Sequence, residues 1–298
     1  MQFGKFWLML SLLAAITGPV EAAGKTNASR IVSIGGSVTE IIYMLGSSDK
    51  IVAVDSTSVF PATALETKAS VGYMRQISPE GVLSTRPDLV VAIEGAGPPQ
   101  ALAVLQESGI AYEKIPNRPS TAGVIEKITH IAELLGKQKQ AKQEISRIES
   151  DLALLKTAKG SISKQKKVLF LLTAASDRMV AGGTGTSAAG IIELAGGENA
   201  ITSFAGYKPV STEAVIAMKP DAILILDRGG HGADPSVISN NPAFSDLPAT
   251  LNKDIFAMDG SLLLGFGPRV VDAAWMLAER LYPNLERNNP PSEKPAAE

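Results

Sequence analysis

The sequence predicts an α/β protein: two Rossmann-like lobes with parallel sheets, joined by a single long helix. Three observations predict it. Short β-branched runs alternate with helical patterns in both halves of the chain, and such continuous apolar strands belong to parallel sheets covered on both faces. A charged helical stretch from Ser120 to about Lys159 interrupts that alternation. ISPEGVLSTRPDLVVAI at 77–93 returns as VSTEAVIAMKPDAILIL at 210–226, at a constant offset of 133 residues.

The elements follow in order. Arg30-IVSIG reads as a buried strand. Ser37-VTEIIYMLG then reads as a helix with Ser37 as N-cap candidate, an apolar face at Val38, Ile41, Ile42 and Leu45, and Gly46 as its stop. IVAVD (51–55), LVVAI (89–93) and Tyr112-EKIP are further strands, with helices between them. Next, Ile125, Ile128, Ile131, Leu134 and Leu135 make one helical stripe ending at Gly136. Ala141, Ile145, Ile148, Leu152 and Leu155 make a second. That second helix has about 22 residues and spans roughly 33 Å, enough for a rigid strut between lobes. Alternation resumes with VLFLLT (168–173), AILILD (222–227), IFAMD (255–259) and a last helix over Val270–Leu281. The expected organisation is a segment at 1–22 that is removed, lobes at 30–118 and 161–282, a helical linker at 119–160, and a disordered tail at 283–298.

The repeat has a local physical logic. Ser78 and Ser211 are N-cap candidates, and Pro79 suits the first helical position, where its missing N–H is no loss. Glu80 and Glu213 fall in the first turn, where the helix dipole favours a carboxylate. Taken singly each is a capping carboxylate. Occurring at corresponding places on two lobes, they form a candidate symmetric docking pair. A weaker echo links Glu40-IIYMLG with Gly190-IIELAG.

Composition limits the function. The net charge of −2 carries no nucleic-acid footprint. Lys5, the largely apolar run Phe6–Ile16, and small residues at Val20 and Ala22 read as a signal peptide cleaved after Ala22. The run is too short to span a bilayer. There is no cysteine, so disulfides, thiolate metal sites and lipid attachment to a cysteine are out. A freely soluble periplasmic protein is the expectation.

Enzyme motifs fail. G-x-S-x-G, H-E-x-x-H and a Walker A lysine are absent, and the only histidines are His130 and His231. His130, in the helical pattern ITHIAELL, reads as a helix-surface or satisfied residue. A hydrolase using His231 stays open as an alternative, without a nucleophile motif behind it.

RIVSIGGSVTEIIYMLG, VGYMRQISPEGVLSTRPDLVVA, AAGIIELAGGENA and STEAVIAMKPDAILIL together resemble the periplasmic haem-binding proteins of bacterial haem ABC importers. These belong to the helical-strut class that also binds siderophores and cobalamin. The resemblance covers residues 30–282 and implies a ligand in the inter-lobe cleft, no chemistry on it, and a monomer. The cargo it implies is haem b, held non-covalently and passed to an inner-membrane ABC permease with its ATPase. An outer-membrane haem receptor system would stand upstream.

The resemblance makes Tyr73 the haem iron ligand; a phenolate oxygen is a recognised axial donor to haem iron. Arg75 adds positive charge beside it, and Gly72 lets the backbone approach a flat macrocycle. Arg228, just beyond the strand AILIL, becomes a candidate for a propionate partner, and His231 for a sixth iron ligand or a donor behind the ligand, since ligands of parallel sheets bind beyond strand carboxyl ends. Glu80 and Glu213 match the class's permease-docking carboxylates. Some members hold a second stacked haem with a histidine after the first strand of the second lobe. LLTAASDRMVAGG has none there, which favours one haem with Tyr73 as sole protein ligand. A siderophore or cobalamin cargo is the alternative within the same fold.

Overall fold

The structure is a computed structural model that describes residues 28–175, 178–227, 234–285 and 287. The expected signal peptide lies outside the described residues, as does most of the expected tail.

The first sheet contains β1 (Ile31–Ile34), β2 (Ile51–Val54), β3 (Ala69–Ser70), β4 (Leu89–Ile93) and β5 (Ala111–Ile115). Its order is β3-β2-β1-β4-β5 and every pairing is parallel. All residues of β1 and β4 are buried, which explains their unbroken apolar composition. Around the sheet lie α1 (Gly36–Met44), α2 (Thr63–Thr67), α3 (Pro79–Ser84), α4 (Pro99–Glu107) and α5 (Thr121–Leu135). The chain leaves β1 toward β2 on one side and later fills β4 on the other. The carboxyl ends of β1 and β4 therefore mark the topological switch point, where open α/β sheets bind ligands.

α1 begins earlier than its sequence suggests. Gly35, at φ 110°, is the N-cap, and Ser37 lies inside the first turn. A β-carbon on Gly36 would stand 2.3 Å from the Thr57 carbonyl oxygen, so only glycine fits there. α5 is capped by the Ser120 hydroxyl at one end and by left-handed Gly136 at the other. Its buried stripe runs through Val124, Lys127, Ile128 and Ile131, with Ile125 only half-buried.

α6 (Gln138–Lys159) is the 22-residue strut. Ala141, Ile148 and Leu155 are buried along it, and Ile145 and Leu152 pack beside them. At its end Lys159 Nζ donates to the carbonyls of Glu193 (3.2 Å) and Leu194 (2.8 Å).

The second sheet departs from the all-parallel expectation. It contains β6 (Lys167–Ala175), β7 (Arg178–Gly182), β8 (Glu198–Asn199), β9 (Tyr207–Val210), β10 (Ala222–Asp227) and β11 (Ile255–Asp259). The order is β11-β10-β6-β7-β9, with β8 beside β6. β10 is parallel to β6 and to β11, whereas β7 runs antiparallel to both β6 and β9. Only two residues separate β6 from β7, and so short a connection permits only a hairpin. The helices here are α7 (Ser187–Leu194), α8 (Thr212–Met218), α9 (Ser236–Ser239), α10 (Pro248–Leu251), α11 (Gly260–Leu264) and α12 (Val270–Leu281).

The repeat is structural. Ser78 caps α3 by accepting from Gly81 N–H, and Ser211 caps α8 by accepting from Ala214 N–H, both at 3.2 Å. Arg86 and Lys219 adopt the same left-handed conformation, at φ 49° and 46°. Asp88 accepts from the Ser29 N–H and Asp221 from the Lys167 N–H, each at 2.8 Å, tying each copy of the repeat to the start of the neighbouring strand. One apolar cluster runs from Ile31 and Val38 through Ile128 and Ile148 to Phe170 and Leu281. The lobes thus share a core along the strut, which restrains their relative movement.

Candidate functional site

A cavity of about 700 Å³ opens between the carboxyl ends of the strands of the two lobes. Its size falls within the usual range for small-molecule sites. The N-terminal lobe contributes Gly35, Thr57, Phe60, Tyr73, Arg75 and Asn117 to its wall; the C-terminal lobe contributes Leu172, Tyr207, Asp227, Asp259 and Arg269.

The Tyr73 loop is presented by its flanks. Val71 and Ile77 are each 4% exposed, and half-buried Met74 packs on the core between them. Tyr73 and Arg75 point the other way, and Tyr73 is 45% exposed. The backbone is held on both sides: Ser56 N–H donates to Gly72 O at 2.8 Å and Gly97 N–H donates to Met74 O at 2.9 Å. Gln76 N–H closes a tight turn onto Tyr73 O at 2.7 Å. Gly72 takes φ 87°, the left-handed region that favours glycine. A phenol is thus exposed from a loop whose own backbone is fixed.

The adjoining wall is organised by buried Asp55. Its Oδ1 accepts from the Gly35 N–H (2.7 Å), and its Oδ2 accepts from both the N–H and the hydroxyl of Thr57 (2.9 and 2.7 Å). Gly36 N–H donates to Thr57 Oγ1 at 2.9 Å. These bonds hold the start of α1 and the loop leading to Phe60 in one arrangement.

Beneath the cavity lies a charge network that crosses between lobes. Arg269 forks onto Glu40, Nε to Oε1 at 2.9 Å and Nη2 to Oε2 at 3.1 Å. Burial pushes the Glu40 carboxyl up, and the Arg269 guanidinium opposes that rise. Lys127 is fully buried and donates to Ser37 Oγ (3.1 Å), Asn117 Oδ1 (3.1 Å) and the Phe266 carbonyl (3.2 Å).

Tyr207 closes the opposite wall, 37% exposed, with its ring edge-on to Phe170 at 6.3 Å and 62°. Burial pushes its phenol up, while Ala188 N–H, the Thr186 side chain and the charge of Arg75 pull the other way. The charge of Arg75 therefore reaches Tyr207 across the cleft.

The structure brings Tyr73 and Arg75 together in one cavity. Arg228 and His231 lie outside the described residues. Glu80 and Glu213 are exposed in the first turns of α3 and α8, away from the cavity wall. His130 is satisfied, as its helical setting suggests: Nε2 meets Glu113 Oε1 at 2.7 Å. Sequence reasoning missed Glu40, Lys127, Arg269, Phe60 and Tyr207. A signal for Tyr207 existed. Gly72-Tyr73 precedes one copy of the repeat and Gly206-Tyr207 the other, with both glycines left-handed, but a one-residue slip breaks the constant offset. Lys127 also had one, as a charge inside an apolar stripe.

A two-lobe α/β architecture with a ligand-sized cleft between strand ends is the form of a solute-binding protein. Residues 31–262 match the periplasmic binding protein family, and the chain belongs to it. It is similar to the solved structure of the periplasmic heme-binding protein RhuT from Roseiflexus sp. RS-1 in apo form, with 33% identity and a TM-score of 0.81. That match covers 87% of this chain and all of the other. It is 28% identical over 263 residues to the uncharacterized ABC transporter substrate-binding lipoprotein YvrC of Bacillus subtilis (strain 168), covering 87% of this chain and 82% of that protein. It is also 28% identical over 275 residues to the vitamin B12-binding protein of Vibrio parahaemolyticus serotype O3:K6 (strain RIMD 2210633), covering 89% and 91%. Among the described residues no helix is long and apolar enough to cross a membrane.

Proposed function

We propose that this protein captures haem in the periplasm and delivers it to an inner-membrane ABC permease driven by an ATPase. The observation that carries the reading is Tyr73, a phenol kept 45% exposed on a hydrogen-bonded loop at the wall of the inter-lobe cavity. In this reading its oxygen ligates ferric iron, a donor type suited to haem. Arg75, lining the same cavity, neutralises negative charge on the phenolate or on a propionate. Arg228 and His231 are further candidates for the propionate edge. Glu80 and Glu213, exposed and symmetric, are the proposed permease contacts. Similarity to the periplasmic heme-binding protein RhuT, at 33% identity, supports haem as cargo.

Cobalamin is the second reading, favoured by the 28% identity to a vitamin B12-binding protein. The test is a pair of titrations of the purified mature protein, haemin in one and cyanocobalamin in the other. Haem capture predicts a saturable change in the haemin absorption spectrum and no saturable binding of cyanocobalamin. The reverse pattern would reject haem.

A further inference from the structure

Arg269 belongs to the C-terminal lobe but ends between two side chains of the N-terminal lobe. On one side it forks onto Glu40, whose side chain is 11% exposed. On the other its guanidinium carbon stands 3.6 Å from the centroid of the Phe60 ring. A two-bond fork fixes the plane of a guanidinium, and a fixed plane gives the ring stacked on it one preferred orientation. Phe60 is no core residue. It is 43% exposed and lines the same cavity as Tyr73. A large apolar ring kept exposed at a cavity wall, yet held from behind, is a prepared contact surface.

We propose that Phe60 is a flat wall of the cleft against which a planar conjugated ligand packs, and that Arg269 is the positioning residue that holds it. The inference rests on the haem reading above and adds the residues that seat the macrocycle. Arg269 comes from the opposite lobe to Glu40 and Phe60, so this wall is complete only at the observed lobe separation. Ligand seating and lobe geometry are thereby linked through one side chain.

The experiment titrates haemin into wild type, Phe60→Ala, Phe60→Tyr, Arg269→Lys and the double variant Phe60→Ala with Arg269→Lys. Losing an aromatic stacking partner should weaken affinity about tenfold in Phe60→Ala, without moving the absorption bands set by the iron ligand. Phe60→Tyr should bind as wild type does. Arg269→Lys, which keeps the charge but loses the planar fork, should weaken binding, and should add no further loss once Phe60 is alanine. Should Arg269→Lys fail to fold, Glu40→Gln loosens the same fork and should weaken binding in the same way. Wild-type affinity in Phe60→Ala overturns the wall, and additive losses in the double variant overturn the positioning role. Both results leave the haem reading standing. A wild type that binds no haemin overturns that reading and the wall with it.

Discussion

Replacing Lys127 by methionine should change how stability depends on pH. Its ammonium is fully buried and meets only neutral acceptors: the Ser37 hydroxyl, the Asn117 side-chain carbonyl and the Phe266 backbone carbonyl. Glu40 is the opposing charge that acts on it, and Glu40 is already engaged by Arg269. Burial therefore pushes Lys127 from 10.5 down to about 8, with Glu40 offsetting only part. Below pH 8 the folded and unfolded chains both hold this proton, so the group adds no pH dependence. Between about pH 8 and 10.5 the folded chain has released a proton that the unfolded chain keeps, so raising the pH favours folding. At about 1.4 kcal/mol per pH unit, the window is worth about 3 kcal/mol. Urea unfolding of wild type and Lys127→Met, in steps from pH 7 to 10.5, isolates the effect because other titrations are common to both. The stability difference, wild type minus variant, should grow by about 3 kcal/mol across the window. A difference that stays flat, or shrinks as pH rises, would refute the buried charged lysine.

Three further outcomes follow from the same geometry. Gly36→Ala would put a methyl group against the Thr57 carbonyl, so it should cost about 1–3 kcal/mol in urea unfolding; wild-type stability would remove the steric account of the α1 start. Ile148→Ala in the strut, where the residue is fully buried, should cost about 2–5 kcal/mol, checked by the same assay. Glu80→Ala combined with Glu213→Ala should spare haemin binding while impairing uptake by reconstituted permease; intact uptake would reject the docking role.

Much of the fold was legible because its signals are local. β4, β10, β11 and α12 have the bounds that apolar runs and helical spacing suggest. The repeated serine caps were legible for the same reason, since an N-cap bonds to a residue three positions on. Ser37 misled because a serine before an apolar helical pattern looks like a cap, whereas the helix starts from Gly35 at φ 110°, a backbone that favours glycine. The antiparallel strands β7 and β9 were hidden in runs too short and mixed to declare a direction. The charge network was illegible for a different reason: Lys127 reaches Ser37 across 90 residues and Arg269 reaches Glu40 across 229, and no local spacing encodes such pairs. That Tyr73 sits on an exposed loop was legible, because VGYMRQISPEG is too polar and too punctuated by glycine and proline for a core; its role as a ligand came from the family resemblance, not from local spacing. Tyr207, its counterpart across the cleft, was obscured by a single-residue slip in the repeat.

The central claim is that Tyr73 ligates ferric haem iron in the inter-lobe cavity. The most direct measurement compares optical and electron paramagnetic resonance spectra of haemin-loaded wild type and Tyr73→Phe, a substitution that removes only the phenol oxygen. The account predicts a saturable high-spin ferric tyrosinate spectrum in wild type, with that signature lost and affinity reduced in Tyr73→Phe. A Tyr73→Phe protein with the wild-type spectrum and affinity would contradict it.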